Sequence, residues 1–245
     1  EESGLTMKKF SSHVIISPKE LTFKDFQLST YKSSFAGYFS MRYTNWKSFS
    51  HFNDSVFMIA DLEMSNVNAA DMSYFTNNLK GIDFDFRFKG GMSGTLKNLK
   101  SDGFSLYFGS ISQMVGFIEL KGLPNIDSTY FSFQVKKLTT NALDLEKIPL
   151  PPFSKKTYLK VPKEIDRLGV IKYQGNLKGT FSDMQIDGFA TTKIGNANMD
   201  VHLFKSQKTD EFNYKGKIDA QHFNIGVLSG VKQFGTITFD GYIDG

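Results

Sequence analysis

The chain has 245 residues, 40% of them hydrophobic, with 29 basic and 25 acidic side chains, a net charge of +4 and no cysteine. That length suits one large core or two small ones, and the missing cysteines exclude disulfides, thiol catalysis and cysteine-ligated metals. The scattered lysine doublets Lys8-Lys9, Lys136-Lys137 and Lys155-Lys156 lack the one-sided clustering of a nucleic-acid binder, and no apolar run approaches the roughly 20 residues of a bilayer-spanning helix.

Period-two alternation dominates from the start, and side chains alternate across a strand. Leu21 and Phe23, then Phe26 and Leu28, form the first such run. Asp71 to Leu79 reads as a short helix. In the stretch GIDFDFRFKG, Ile82, Phe84, Phe86 and Phe88 fall on one face, with Asp83, Asp85, Arg87 and Lys89 on the other. The pattern returns at Phe104, Leu106 and Phe108 and at Phe131, Phe133 and Val135. Four of the six prolines lie between Pro149 and Pro162, which predicts an extended connection over 148–162 and no strand there. Pro162 to Leu168 is a second short helix, with proline in its first turn. Ile171 with Tyr173 and Phe212 with Tyr214 resume the alternation. A third short helix follows at Phe223 to Val231, and Ile237 with Phe239 close the chain. The class this predicts is all-β, mainly antiparallel, with a few short helices.

One phrase recurs. FKGGMSGTLKNLKSDGF at 88–104 and YQGNLKGTFSDMQIDGF at 173–189 share two glycines, a Gly-Thr step and a final Asp-Gly-Phe in one register. Gly235, Ile237, Phe239, Gly241 and Gly245 repeat the spacing of Gly169, Ile171, Tyr173, Gly175 and Gly179. Each copy follows a predicted short helix, so the chain reads as one continuous repeat region over 1–245, with junctions near 70–94, 162–179 and 223–245. The third copy stops at Gly245, from which the sequence is expected to be a piece of a longer protein.

Catalytic readings of these motifs fare poorly. A phosphate-binding loop needs a longer glycine spacing and a lysine before the Ser/Thr, at a strand-to-helix junction; Gly90 to Thr95 and Gly175 to Thr180 have neither. Gly91 to Thr95 approaches a nucleophile elbow but lacks its last glycine, and Lys178 replaces Ser93 in the second copy. His13, His51, His202 and His222 are far apart, without metal-ligand spacing. Asp83 and Asp85 read as solvated positions of a strand, and Asp102-Gly103 and Asp187-Gly188 as hairpin turns. Neither a cofactor nor an enzymatic activity is expected.

The Phe-rich strands, the phrase LGVIKYQGNLKGTF at Leu168 to Phe181 and the preceding IPLPPF at Ile148 to Phe153 together resemble TamB of the AsmA-like family, bridge-like lipid transfer proteins of Gram-negative bacteria. The likeness is clearest from Leu79 onward, while residues 1–60 fit it less distinctly. It implies an elongated, curled β-sheet whose concave apolar face forms an open groove. It also implies a periplasmic location within a protein anchored in the inner membrane and reaching the outer membrane. Phospholipid acyl chains are the implied cargo, and an outer-membrane barrel of the TamA or BamA kind the implied partner; no nucleic acid is involved. The lining expected is Ile82, Phe84, Phe86, Phe88, Phe104, Leu106, Phe108, Phe131, Phe133, Val135, Ile171, Tyr173, Ile237 and Phe239. The alternative fold is a β-sandwich, in which two greasy faces close on each other. The alternative role is a scaffold for outer-membrane protein assembly, which offers strand edges to its clients. A transmembrane barrel wall and a carbohydrate-binding sandwich fit less well: the chain has a Pro-rich connection, and Trp46 is its one tryptophan.

Overall fold

The structure, a computed structural model, describes residues 4–74, 77–206, 211–231 and 233–245. The strands are β1 Lys9–Ile16, β2 Glu20–Ser29, β3 Ser34–Arg42, β4 Phe57–Asn68, β5 Asp85–Thr95, β6 Asn98–Phe108, β7 Ser112–Lys121 and β8 Tyr130–Thr140. After β9 Pro149–Leu150 and β10 Thr157–Tyr158 come β11 Ile171–Thr180, β12 Asp183–Thr192, β13 Gly195–Lys205, β14 Phe212–Asn224 and β15 Thr236–Asp244. Five helices of four or five residues lie in the connections: α1 Phe52–Ser55, α2 Ala69–Met72, α3 Ala142–Leu145, α4 Lys163–Asp166 and α5 Ile225–Ser229.

Thirteen strands form one antiparallel sheet in chain order, and only β9 and β10 stand aside as a two-stranded pair. The sheet is curled without closing, since β1 and β15 do not pair. A single sheet rules out the two facing layers of a sandwich. Three of its connections, after β4, β8 and β14, carry α2, α3 with α4, and α5; all leave the same end of the strands, here called the helical rim.

Some local expectations need correction. β5 begins at Asp85, so Ile82 and Phe84 precede the strand. The segment expected as a helix over Asp71 to Leu79 holds α2 and a separate turn at Asn77–Leu79, while 75–76 lie outside the described residues. Pro162 caps α4 from outside its first turn. The Pro-rich connection is not strand-free, because β9 and β10 pair within it. Asp102-Gly103 and Asp187-Gly188 lie inside β6 and β12, not at turns.

Those misplaced glycines belong to a crease running lengthwise through the sheet. Cross-strand register joins Phe26, Gly37, Leu62, Gly90, Phe104, Gly116, Val135, Gly175, Gly188, Met199, Ile218 and Gly241 into one row. Beside this row β2, β4, β6, β8 and β14 each carry an extra residue, at Phe23/Phe26, Leu62/Ser65, Ser101/Phe104, Val135/Leu138 and Ala220/Phe223. A bulge bends its strand and increases the local twist. The facing glycines let the bent backbones approach: a Cβ on Gly90, which has φ 142°, lies 2.2 Å from the Gly103 carbonyl, and one on Gly116 lies 2.1 Å from that of Gln134. Bulges facing glycines are how a tall sheet acquires curvature without losing its ladder.

Two buried carboxylates fasten the helical rim. Asn141 caps α3 by accepting from the Asp144 N–H, and the Asp144 side chain is fully buried. It accepts from the backbone N–H groups of Ser110, Ile111 and Ser112 at 2.8–3.1 Å and from the Ser110 and Ser112 hydroxyls. Burial works to raise the pKa of this carboxyl, but the Ile111 and Ser110 backbone donors and the two serine hydroxyls outweigh it and hold the group well below the usual carboxylate range. Asp71 on α2 does the same for the β2–β3 turn, accepting from Thr30 and Ser33 hydroxyls at 2.5 and 2.6 Å.

Two predictions follow from this geometry. Gly116→Ala destabilises the fold by about 3 kcal/mol or more through backbone collision, whereas Gly235→Ala, with open space around it, stays within about 0.5 kcal/mol; urea denaturation compares them. Asp144→Asn leaves buried N–H groups short of an acceptor and costs roughly 2 kcal/mol or more at neutral pH. Because the folded-state pKa is depressed, the wild-type advantage is complete above the unfolded value of about 4 and shrinks as pH falls below it; melting curves across that range check the sign.

Candidate functional site

The register places one set of side chains on a single face of all thirteen strands. From β1 it reads Phe10, Val14 and Ile16, opposite Leu28, Phe23 and Leu21 of β2, and then Phe35, Phe39 and Met41 of β3. Met58, Ala60 and Leu62 of β4 continue it into β5, where Phe86 and Phe88 stand opposite Phe108 and Leu106 of β6. Ile118 and Leu120 of β7 face Phe133 and Phe131 of β8, which in turn face Leu177 and Gly179 of β11. Beyond them lie Ile186 and Met184, Val201 and Leu203, Tyr214 and Ile218, and finally Phe239 and Ile243. Among the paired positions of the described residues no Asp, Glu, Arg or His falls on this face; Lys205, at the end of β13, is its one charge. At about 4.8 Å per strand the face extends roughly 58 Å along the sheet.

Ring contacts run along this face. Phe10, Phe23 and Phe39 lie in series at 6.0 and 6.1 Å, Phe88 stacks on Phe104 at 6.2 Å, and Phe104 meets Phe133 at 6.2 Å. Phe131 touches both Phe133 and Phe181, at 5.5 and 5.6 Å. The floor along the crease is packed. Val135 is 2% exposed and forms a core with Tyr173 and Ala190, against which Met114, Phe133, Leu138, Leu177, Ile186 and Met199 pack. The walls are looser, with Phe86, Phe88, Leu106 and Phe108 only half-buried. A creased sheet with a solid apolar floor and open apolar walls is a trough.

In the second copy of the phrase the aromatic Tyr173 packs over the glycine two positions on. A Cβ on Gly175 would meet the Tyr173 hydroxyl at 2.6 Å, and one on Gly188 the ring at 2.9 Å, so the ring lies across both glycines. Phe239 lies across Gly241 in the same way. The Tyr173 hydroxyl is within hydrogen-bonding distance of the Asp187 and Asn176 carbonyls, at 2.8 and 3.0 Å. Burial, with the nearby Asp187 charge, pushes its pKa well above the ordinary tyrosine value.

Of the fourteen residues expected to line the trough, Phe86, Phe88, Phe104, Leu106, Phe108, Phe131, Phe133, Val135, Ile171, Tyr173, Ile237 and Phe239 occupy this one face by register. Phe84, ahead of β5, packs on Phe86 and Phe108 at 5.9 and 5.7 Å and prolongs the face at the rim. Ile82 sits in the turn after Leu79, ahead of the strand. The sequence reading missed the methionines: Met41, Met58, Met92, Met114, Met184 and Met199, six of the nine in the chain, are on the apolar face. Their signal was the same alternation, continued through glycine and alanine.

Among the described residues no cluster of His, Asp or Glu could hold a metal ion, and no helix is long and apolar enough to cross a membrane. Asp83 and Asp85 are both hydrogen-bonded by the Asn68 amide, at 3.1 and 2.8 Å. Cavities of about 450 and 440 Å³ open at the helical rim; both are lined largely by polar side chains and hairpin turns.

Tyr173→Phe is expected to cost about 1 kcal/mol at neutral pH through the lost hydrogen bond. A raised folded-state pKa makes that contribution complete below about pH 10 and loses it as pH climbs further, so the gap between wild type and variant closes in alkaline denaturation series. No family model, curated protein or solved structure matches this chain.

Proposed function

We propose that the trough is a segment of a non-enzymatic conduit for phospholipids. One observation carries this reading: the apolar face continues across thirteen strands with no charge among its paired positions before Lys205. A compact enzyme or binding module confines its apolar surface to a closed core. Here the face stays open along the whole sheet, and an acyl chain laid in it gains about 0.8 kcal/mol per buried CH₂. The lining suits sliding cargo, since Phe, Leu, Ile and Met offer dispersion contacts without polar groups that demand fixed partners. The resemblance to the TamB and AsmA-like family points the same way. On that resemblance the segment works in the periplasm, between an inner-membrane anchor and an outer-membrane barrel of the TamA or BamA kind.

A second reading rests on β1 and β15, the outermost strands of the sheet among the described residues. A sheet edge can accept another strand through its backbone groups, as an assembly scaffold for outer-membrane proteins requires.

Photo-crosslinkers at Phe88 and Leu177, on the apolar face, separate the two when the purified protein is mixed with phospholipid. The conduit reading expects lipid adducts at both positions and none at Lys89 or Lys178, on the opposite face. Phe88→Asp abolishes the adduct at Leu177 and lipid transfer between vesicles, while Lys89→Asp leaves both intact. Transfer that persists in Phe88→Asp and Phe133→Asp variants overturns the reading.

A further inference from the structure

The connection between β3 and β4 folds into a lobe at the rim opposite the helices. The row Ile16, Leu21, Met41 and Met58 crosses the trough face there. One step beyond it, in the same phase, come Tyr43 and Val56, 5% and 0% exposed. Tyr43 is covered by the lobe itself. Trp46 and Phe49 stand with ring centroids 4.9 Å from its own, Trp46 stacks on Phe49 at 5.7 Å, and Phe52 follows at 6.3 Å. The lobe therefore overhangs the trough side of the sheet, and its outer member, Trp46, is 58% exposed.

Local bonds hold the lobe in this shape. Asn45 caps the turn Trp46–His51 by accepting from the Lys47 N–H at 2.9 Å, and its own N–H lies 3.5 Å from Ser48 Oγ. The Tyr43 hydroxyl donates to the Ser17 carbonyl at 2.9 Å, which ties the lobe to the β1–β2 turn. On its other side the Lys97 N–H donates to the Asn53 carbonyl at 3.1 Å. The charge around the rings is one-sided. Glu20 pairs with Arg42 at 3.2 Å and Asp54 with Lys97 at 2.7 Å, which leaves the exposed Lys19 and Lys47 in excess.

We propose that this lobe is a contact site for the surface of a phospholipid bilayer, with Trp46 at the level of the headgroups. An indole held exposed on a firm frame suits that boundary, because its body is apolar and its N–H finds a polar partner. Lys19 and Lys47 add attraction to anionic headgroups. A protein partner could use the same rings, but their continuity with the trough favours lipid. Tyr43 and Val56 join the lobe to the row from Ile16 to Met58, so an acyl chain that leaves the bilayer at Trp46 meets apolar side chains as far as the trough. As a route into the trough the proposal rests on the conduit reading; as a bilayer contact it rests on the lobe alone.

Trp46 is the one tryptophan of the chain, so its fluorescence reports this surface alone. With vesicles of mixed phosphatidylcholine and phosphatidylglycerol its emission is expected to shift to the blue and to be quenched by lipids brominated in the acyl chain. In flotation with the same vesicles, Trp46→Ala lowers the affinity about tenfold and Lys47→Gln about fivefold. Tyr242→Ala, at an exposed position of the opposite face, changes nothing. Lys19→Gln combined with Lys47→Gln, two surface changes, carries the test should Trp46→Ala disturb the lobe. Vesicle binding without lipid transfer keeps the lobe and overturns the conduit, while transfer with Trp46 unquenched does the reverse. Emission unmoved by the vesicles, or flotation unaltered in both Trp46→Ala and the double lysine variant, overturns the site and turns the search to a protein partner.

Discussion

Everything in this molecule depends on bending strands of eight to thirteen residues without breaking their hydrogen bonds. A sheet this wide twists if left flat, and its apolar face would lie open to water. The crease resolves that conflict. Bulges on β2, β4, β6, β8 and β14 lengthen one side of each fold line, and glycines on the facing strands remove the Cβ atoms that would strike neighbouring carbonyls. The two halves of each strand then turn toward one another, and Val135, Tyr173 and Ala190 become a floor. Tyr173 and Phe239 lie over the glycines their own strands provide, so the curvature device also fills the space it opens.

Folding the sheet lengthwise moves the problem of stability to the rims. Strand ends far from the floor have little apolar burial to hold them, and polar contacts take over there. Asp144 collects three backbone N–H groups and two hydroxyls in a fully buried setting, where an unpaired carboxylate would be costly. Its low pKa expresses the same arrangement, since every donor around it favours the charged form. Asp71 repeats the solution with two hydroxyl donors. At the third junction Arg167 reaches across to the Leu228 carbonyl at 2.6 Å, so α4 and α5 hold one another where no carboxylate is present.

The alternation in the sequence already carried the crease, in a form that is easily misread. Between Leu21-Phe23 and Phe26-Leu28 the apolar phase slips by one residue, and the slip is the β2 bulge. The same slip separates Val135 from Leu138, with Lys136-Lys137 between them. That doublet reads as ordinary surface charge until the bulge is seen. Asp102-Gly103 and Asp187-Gly188 look like hairpin turns because the local chemistry of Asp-Gly favours turns. Their place inside β6 and β12 follows from register across the sheet, to which each dipeptide contributes only a small part.

The sequence by itself determined the strand class and which face of each strand is apolar, because period two is a local property of the chain. Twelve of the fourteen expected lining residues are paired positions on that face for this reason, while Ile82 fell outside because alternation does not mark where a strand begins. The tertiary structure alone decided that the thirteen faces join into one trough, that its floor is solid and its walls open, and that Asp71 and Asp144 hold the rim. Those outcomes depend on which residues stand opposite one another across separate strands. Asp144 lies 34 residues from Ser110 in the chain, yet only 2.8 Å from its N–H in space.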